Sequence, residues 1–482
     1  MTFGLVDIGA IMPEIVLAVY ACAVLMLDPF LPRERHAVLT YFSLVGLGLA
    51  FYGTARLMWI DVTVMGGMFV LDPYSNFFKI LLYLAATLTI LVSTGYLKRE
   101  RIDLSEYYAF LLLATTGMMI MVSAADLIMI FLGVELTAVS FYILAGFKRF
   151  EKRSIEAAAK YFILGSFSSA ILLFGISLVY GLAGSTNLAV VAQRIGSGEL
   201  GAGWTTAMVF LAVGFGFKVA VVPFHMWTPD VYQGAPTPVT AYLAVGSKAA
   251  AFAVFLRVFL SALGPARGQW VVLLVVLALA TMLVGNVVAL VQTNLKRMLA
   301  YSSIAHAGYV LIGVVVGSPQ GTFGLMLYLL IYSFMTVGAF GMLTLLRKGG
   351  LEGDEIDDLT GLSQRNPLGA FAMLVFMFAL AGIPPTAGFI AKFYILMAAV
   401  EGGMAWLAVV AVLFAAVSAY FYIRVVMVMY MRDPEPEARP PVMVSAPAAT
   451  VALTVALVAV ILLGIFPEPV LNYTRNAVLQ LK

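Results

Sequence analysis

Four ionisable residues lie deep inside otherwise apolar stretches of this chain: Glu135, Lys218, Lys248 and Lys392. A charge at the centre of a bilayer costs about 2.5–3.5 kcal/mol even on lenient insertion scales, so such residues usually mark an ion or proton path. Burial disfavours the charged form of an amine and a nearby carboxylate favours it, so a buried lysine can be tuned to bind and release a proton. The four residues therefore predict a membrane protein that translocates protons.

The three lysines have different sequence surroundings. Lys218 precedes a proline-rich break, and Glu135 is its expected tuning partner; the alternative is a static buried ion pair that only locks helix packing. Lys248 has small neighbours that leave room for water or another side chain; the alternative is a lysine that extends to the membrane interface. Lys392 follows the Gly382–Gly388 segment of a second break by four residues and is expected to be the repeat counterpart of Lys218.

Two histidines are candidate proton relays, because an imidazole titrates closest to physiological pH. His225 lies at the first break, and His306 lies in a polar stretch, Tyr301–Tyr309, that could hold water. The alternative for each is that it only satisfies carbonyls freed by a broken helix. Two histidines without clustered carboxylates do not indicate a metal site.

Composition requires a membrane protein. The 482 residues are 62% hydrophobic and 11% charged, whereas an average soluble domain is about 25% charged. We therefore predict one integral membrane domain of all-α class with about fourteen transmembrane helices and no soluble domain. Without a basic arm, nucleic acid is excluded as a partner. The helices are predicted to start near Ile8, Ala37, Asn76, Glu106, Asp126, Ile155, Trp204, Pro238, Gln269, Ala300, Gly321, Pro367, Met404 and Ser445, and the last to end near Phe466.

Prolines predict that helices 7 and 12 are broken, at Pro223 and at Pro384-Pro385, because proline removes a backbone donor and clashes with the preceding turn. Broken helices at corresponding points of two halves typify transport sites built on inverted repeats. Tyr161, Ser166 and Phe167 also match Tyr328, Ser333 and Phe334 at a constant offset of 167. We predict helices 1–3 over 1–105, inverted five-helix repeats over 106–262 (helices 4–8) and 269–431 (helices 9–13), and helix 14 over 445–466.

Positive charge predicts the orientation. The odd-numbered loops hold sixteen Lys and Arg residues, and the even loops and termini hold four. Cytoplasmic loops carry the excess of positive charge, so both termini are predicted to be periplasmic. The sixteen are Arg33, Arg35, Lys98, Arg99, Arg101, Lys148, Arg149, Lys152, Arg153, Lys296, Arg297, Arg347, Lys348, Arg365, Arg432 and Arg439; the four are Arg194, Arg267, Arg475 and Lys482.

Other polar residues are expected to be structural. Glu14 and Lys79 lie near predicted helix ends and are interpreted as interfacial anchors or caps, and Cys22, the only cysteine, as a small buried apolar residue. Neither a dinucleotide-binding glycine motif after a strand nor a phosphate-binding P-loop occurs. The energy for transport must then come from an ion gradient or from attached subunits.

Four motifs, in order along the chain, resemble the antiporter-like subunit N family of bacterial NADH–quinone oxidoreductase, respiratory complex I. The resemblance covers essentially the whole chain, and Phe224–Pro238 and the chain length favour the N type over the longer L type. The M type typically carries a glutamate where this chain has Lys392. The motifs are Phe131–Glu135, Phe224–Pro238, Asn294–Ser303 and Gly382–Lys392.

The resemblance implies a non-redox proton-pumping module in the bacterial inner membrane. In such a module Glu135 and Lys218 form a coupled pair, Lys248 relays along a central polar axis, and Lys392 serves the second half-channel. It also implies that no cofactor binds this chain and that NADH, FMN, iron–sulfur clusters and quinone belong to partner subunits. The implied neighbours are M- and K-type subunits and the lateral helix of an L-type subunit.

Two other classes stay open. One is an Mrp-type cation–proton antiporter subunit, which sodium-dependent transport without redox partners would favour. The other is a passive membrane scaffold or quinone-binding subunit, which would be favoured if lysine substitutions abolished assembly and left pumping intact.

Overall fold

The computed structural model describes residues 4–31, 37–198, 200–348, 351–433 and 442–478. Thirteen helices in these ranges are long and apolar enough to cross a membrane, and helix 12 is present as two halves, which completes the fourteen predicted spans. The bounds are helix 1 Met12–Leu27, 2 Ala37–Arg56, 3 Pro73–Arg99, 4 Glu106–Ser123, 5 Leu127–Ala145, 6 Lys152–Ala183, 7a Ala202–Val219, 7b Trp227–Gly234, 8 Thr237–Ala262, 9 Arg267–Leu290, 10 Leu295–Val316, 11 Pro319–Leu345, 12a Pro367–Ala381, 12b Ala387–Glu401, 13 Ala405–Met431 and 14 Pro447–Ile465.

The largest errors in the predicted helix starts have local causes. Helix 1 begins at Met12 and not near Ile8, because a separate short helix, Leu5–Ala10, precedes it. Helix 10 begins five residues earlier than predicted, because the Asn294 side chain accepts a hydrogen bond from the Arg297 amide and caps the helix. A cap of this kind lets a helix include charged residues that hydropathy alone assigns to a loop.

Both predicted helix breaks are present. Helix 7a ends at Val219, followed by Ala220 at φ 61°, and helix 12a ends at Ala381, followed by Gly382 at φ 84°. A Cβ atom on Gly388 would lie 1.7 Å from the Ala379 carbonyl oxygen, so only glycine lets helix 12b approach helix 12a this closely. The backbone conformation at Ala220 and Gly382 and the close approach at Gly388 therefore define the breaks.

Helices 8, 10 and 11 form the centre of the molecule. Their apolar windows are 94–100% buried, whereas those of helices 1 and 14 are 28% buried. Elsewhere helix 4 packs along helix 5 as helix 9 packs along helix 10. Two five-helix repeats require such corresponding helix pairs. That the repeats superpose after inversion remains a prediction.

The even loops and both termini share one face of the molecule. Asp7 accepts a hydrogen bond from the Met65 amide at 2.8 Å, and Tyr473 of a C-terminal surface helix, Glu468–Ala477, stacks on Phe77 near the start of helix 3. We call this the terminal face. A chain that crosses the membrane an even number of times has both of its ends on the same side.

The odd loops meet on the opposite face, where the positive charge is concentrated. Glu100 pairs with Lys148 at 3.0 Å and with Arg347 at 2.5 Å, and Arg432 pairs with Asp357 at 3.0 Å. Short strands, Leu346–Lys348 and Val442–Met443, pair there. That this face is cytoplasmic remains a prediction, and four of the counted cations lie outside the described residues: Arg33, Arg35, Arg439 and Lys482.

Candidate proton-transfer site

Lys218 and Glu135 lie near each other without direct contact. Lys218, 7% exposed, sits one residue before the end of helix 7a. Glu135 lies half-buried on helix 5 and accepts a hydrogen bond from the Ser169 hydroxyl of helix 6. The two charges are within electrostatic range, but no nitrogen–oxygen distance within 4.0 Å joins them among the described residues. The structure thus holds Lys218 and Glu135 without a salt bridge between them, and whether the pair opens and closes stays a prediction.

The break in helix 7 is closed by an aromatic side chain. The Trp227 indole N–H donates to the Phe217 carbonyl oxygen at 3.0 Å, and the indole stacks on Tyr161 with ring centroids 4.6 Å apart. His225 lies buried within the break, next to the Pro223 carbonyl. The Phe217 carbonyl also accepts a hydrogen bond from the Ala220 amide at 3.1 Å, so both of its hydrogen bonds are made without the amine of Lys218.

Lys248 lies at the centre of the buried helix 8 and is 2% exposed, which excludes extension to the interface. It directly follows a π-helical turn, Leu243–Ser247, and such turns often occur at functional sites. Its Nζ donates to the Ser303 carbonyl oxygen at 2.8 Å and to the Ser303 hydroxyl at 2.6 Å. The Tyr332 hydroxyl donates to the same serine oxygen at 2.9 Å. Helices 8, 10 and 11 meet at this serine.

His306 is held between two tyrosines. Its Nδ1 lies 2.6 Å from the Tyr328 hydroxyl of helix 11, and its Nε2 lies 3.1 Å from the Tyr422 hydroxyl of helix 13. Tyr422 in turn shares a hydrogen bond with the Ser302 hydroxyl. A hydroxyl both donates and accepts, so this chain of groups can pass a proton in either direction. In contrast to the alternative interpretation, His306 bonds hydroxyls and not backbone carbonyls.

Lys392 itself satisfies the carbonyls at the second break. From the second turn of helix 12b, its Nζ donates to the carbonyl oxygens of Leu380 and Ala381, at 3.1 and 2.7 Å. These are the last residues of helix 12a, so the amine bridges the two half-helices. Its Nζ also lies 5.4 Å from the centre of the Tyr309 ring.

Lys218 and Lys392 occupy different positions relative to their helix breaks, and their equivalence as repeat counterparts stays a prediction. Lys218 precedes its break and Lys392 follows its own. When Ala220 is matched to Gly382, Lys218 matches Leu380, and the Lys392 amine binds the carbonyl of that residue. The two amines therefore approach similar places in their half-helices from opposite sides of the break. The sequence already places the two lysines on opposite sides of their breaks, but only the structure shows the contact between the Lys392 amine and the Leu380 carbonyl.

Polar residues of helices 8, 10, 11, 12b and 13 lie close together in a buried centre, as one hydrogen-bonded group around Ser303 and another around His306. The His306 ring lies 5.1 Å from the Tyr332 ring and 6.2 Å from the Tyr309 ring, and the Lys392 Nζ lies 5.4 Å from the centre of the Tyr309 ring. We call Lys248, Ser303, Tyr332, His306, Tyr328, Tyr422 and Lys392 the central axis. The structure does not bring Glu135, Lys218 and His225 into hydrogen-bond contact with it.

A charged cluster lies where helix 7b reaches the odd-loop face. Asp230 pairs with Lys160 and with Arg297, each at 2.7 Å, and Lys160 also pairs with Glu156 at 2.8 Å. The cluster borders a cavity of about 230 Å³. Asp230 lies on helix 7b, so the cluster adjoins the half-helix that follows the first break.

Several buried polar residues were missed by the sequence reasoning. Lys79 and Glu14 form a buried ion pair at 2.7 Å between helices 3 and 1, a contact that the sequence did not predict. Arg257 pairs with Asp72 at 2.9 Å under the terminal face. Cys22 is exposed on helix 1, so its predicted burial is wrong. The i, i+4 spacing of Tyr328 and Tyr332 was a usable signal for the axis, because such residues share a helix face.

Comparison with known proteins identifies the family. A family model described as NADH:quinone oxidoreductase/Mrp antiporter, TM, matches residues 124–418. NADH-quinone oxidoreductase subunit N 2 of Rhizobium meliloti (strain 1021) is 48% identical over 468 residues, covering 97% of each chain. NADH-quinone oxidoreductase subunit N of Trichlorobacter lovleyi is 44% identical over 480 residues, covering 99% of this chain and 98% of the relative.

Solved structures show the same fold. A chain of respiratory complex I from Thermus thermophilus with bound aureothin superposes with a TM-score of 0.81 at 34% identity, covering 95% of this chain and 98% of that chain. A chain of the Mrp complex from Dietzia sp. DQ12-45-1b has a TM-score of 0.84 at 22% identity, covering 98% and 97%. At 22% identity, the similarity to the Mrp chain shows a shared fold alone.

Proposed function

The chain belongs to the subunit N family of NADH-quinone oxidoreductases, and we propose that it translocates protons across the membrane as an antiporter-like, non-redox subunit of such a complex. One observation carries the proposal. The central axis places two lysines, a histidine and three tyrosines in a buried centre that has helix breaks on both sides. A purely structural subunit has no need of titratable groups in this position, where each costs free energy.

The residues of the two halves have different proposed roles. Lys218 exchanges protons with the charged cluster at Asp230, and Glu135 tunes it by moving into and out of contact. Opposite charges about 4 Å apart are worth on the order of 4 kcal/mol at an effective dielectric near 20. Opening and closing the pair is thus enough to load and unload the amine. Lys248 and His306 carry the proton to Lys392. His225 relays protons at the first break.

The surroundings of the chain follow from the same proposal. It lies in a bacterial inner membrane with both termini periplasmic, next to M- and K-type subunits and the lateral helix of an L-type subunit. NADH, FMN, iron–sulfur clusters and quinone bind to partner subunits, and quinone reduction reaches this chain electrostatically. The Mrp-type antiporter and the scaffold or quinone-binding alternatives are less well supported, because the full-length relatives at 41–48% identity carry the subunit N name.

The decisive experiment measures proton pumping and assembly together. In membranes containing the whole complex, Lys218→Met and Glu135→Gln should suppress pumping coupled to NADH oxidation while the complex assembles. Lys218→Arg should also fail, because a guanidinium keeps its proton throughout. Lys98→Arg, at an exposed position on the odd-loop face, is the control and should pump normally. Full pumping by an assembled Lys218→Arg complex would show that a fixed charge suffices and would end the carrier mechanism.

A further inference from the structure

A cavity outside the transfer site opens on the terminal face. It has a volume of about 400 Å³ and lies between the start of helix 11, the end of helix 12b and the C-terminal surface helix Glu468–Ala477. Pro319 and Gln320 at the first turn of helix 11 and Glu401 at the last residue of helix 12b line its mouth. Because helix ends surround it, the cavity lies at the depth where a bilayer changes from acyl chains to headgroups.

Two opposite charges line this cavity without a charged partner in the described part of the chain. Glu401 and Arg475 are both exposed, and neither has an ion pair there. Arg475 is held in place because its guanidinium lies 5.5 Å from the centre of the Phe323 ring, which also lines the cavity. A fixed cation and an anion in one pocket suit a ligand that carries both charges.

An apolar track leads from the cavity toward the membrane centre. Phe389, Phe393 and Met397 follow one another at four-residue spacing on helix 12b and are 38–44% exposed. Phe389 and Phe393 stack with ring centroids 6.1 Å apart, and Phe393 and Met397 also line the cavity. The track and the charged mouth together have the polarity of a phospholipid, with a headgroup at one end and a chain along the other.

We propose that this cavity binds a zwitterionic phospholipid whose headgroup carries a phosphate and a primary ammonium, as in phosphatidylethanolamine. The Arg475 guanidinium holds the phosphate in a bidentate contact, and the Glu401 carboxylate accepts hydrogen bonds from the ammonium. One acyl chain lies along Phe389, Phe393 and Met397. The bound lipid links the C-terminal surface helix to the half-helix that carries Lys392.

Photolabelling of the purified, assembled complex tests this site. The probe is phosphatidylethanolamine with a photoreactive diazirine in one acyl chain, diluted into phosphatidylcholine nanodiscs. Adducts should concentrate on the peptide covering 387–401. In Arg475→Gln and in Glu401→Gln they should fall by roughly tenfold or more, as the loss of one charge-assisted hydrogen bond implies. Arg194→Gln, which removes an exposed arginine from another surface helix, Leu188–Ser197, is the matched control and should label like the unmodified complex.

Competition between unlabelled lipids and the probe, measured in the unmodified complex, tests which headgroup the cavity binds. Unlabelled phosphatidylethanolamine should displace the probe, and unlabelled phosphatidylglycerol, which lacks the ammonium, should not. Equal displacement by both lipids would overturn the zwitterionic site. Absence of adducts on 387–401 in the unmodified complex would show that another protein segment covers the cavity and would also overturn it. Neither Arg475 nor Glu401 belongs to the transfer site, so these results are independent of proton pumping.

Discussion

At the scale of single residues, the buried lysines differ in how firmly their amines are held. Lys248 and Lys392 each donate two hydrogen bonds, to Ser303 and to the end of helix 12a. Lys218 donates no such bond within the described residues, and the carbonyl of its neighbour Phe217 accepts from Trp227 and Ala220 instead. Lys218 is therefore the amine with the greatest freedom to move, as a carrier that exchanges partners requires.

Tyr422 provides a residue-scale prediction. Its hydroxyl joins His306 to Ser302 across helices 13 and 10. Tyr422→Phe should lower proton pumping per NADH oxidised, and it should destabilise the complex by about 1–3 kcal/mol, the cost of a buried polar group left without a partner. Tyr420→Phe, two residues away and 63% exposed, is the matched control and should leave both quantities unchanged. Normal pumping by the Tyr422→Phe complex would remove this tyrosine from the relay.

The pair of Glu14 and Lys79 provides a second prediction. Removal of one partner from a buried ion pair costs about 3–5 kcal/mol, whereas replacement of both by apolar residues is often neutral. Lys79→Met should therefore lower the thermal midpoint of the complex strongly, and the double variant Glu14→Leu/Lys79→Met should restore most of the loss. A double variant less stable than Lys79→Met would show that the pair itself is required.

At the scale of helices, the two breaks have the same backbone design and different chemistry. Each has a residue in the left-handed region, Ala220 or Gly382, after the first half-helix. At the first break an indole from the second half-helix donates to a carbonyl that also accepts from the Ala220 amide, and at the second break an amine donates to two carbonyls. Only the second break therefore depends on the residue proposed to carry a proton.

Hydrogen–deuterium exchange can test this difference. Lys392→Met removes the donor for two buried carbonyls, and hydrogen bonds to a charged group are worth about 1.5–3 kcal/mol each. Exchange in 367–401 should rise clearly in this variant. Lys218→Met, which removes no hydrogen bond from its own break, should leave exchange in 202–234 close to that of the unmodified protein. Equal increases at both breaks would contradict the assigned bonding.

The helices could be predicted from sequence more fully than the contacts of the site. Pro223 and Pro384-Pro385 predict the breaks, because proline acts locally on the backbone. Glu14 and Lys79 could not be paired, because a sequence does not say which helices pack together. The role of Tyr422 could not be predicted either, since a tyrosine in an apolar helix is usually a packing residue. Only the fold shows that its hydroxyl contacts His306. The two carbonyl contacts of Lys392 could not be predicted either, because they depend on how helix 12b packs against the end of helix 12a.

At the scale of the whole molecule, charge is divided between two faces. The even loops and both termini lie together, and the odd loops carry paired and clustered charges such as Glu100 with Lys148 and Arg347. Helices 8, 10 and 11 cross between these faces with almost complete burial. The described fold therefore has two distinct surfaces with a polar centre between them.

Reporter fusions test how these faces are oriented. Because positively charged loops stay in the cytoplasm, fusions at Lys98 and Lys348 should report a cytoplasmic position and a fusion after Lys482 a periplasmic one. A fusion at Arg194, in a predicted periplasmic loop, provides a control within the chain. A cytoplasmic C-terminus would contradict either the helix count or the orientation.

The two hydrogen bonds made by Lys392 also have a stereochemical consequence. A protonated amine has three N–H bonds, and the carbonyls of Leu380 and Ala381 fix the directions of two of them. A neutral amine keeps two N–H bonds, so the departure of one proton breaks neither contact. In the proposed transfer, the proton that leaves Lys392 is the one on the third bond, and it departs along a single direction set by the tetrahedral nitrogen. The broken helix thus fixes the direction of the proposed proton release as well as its position.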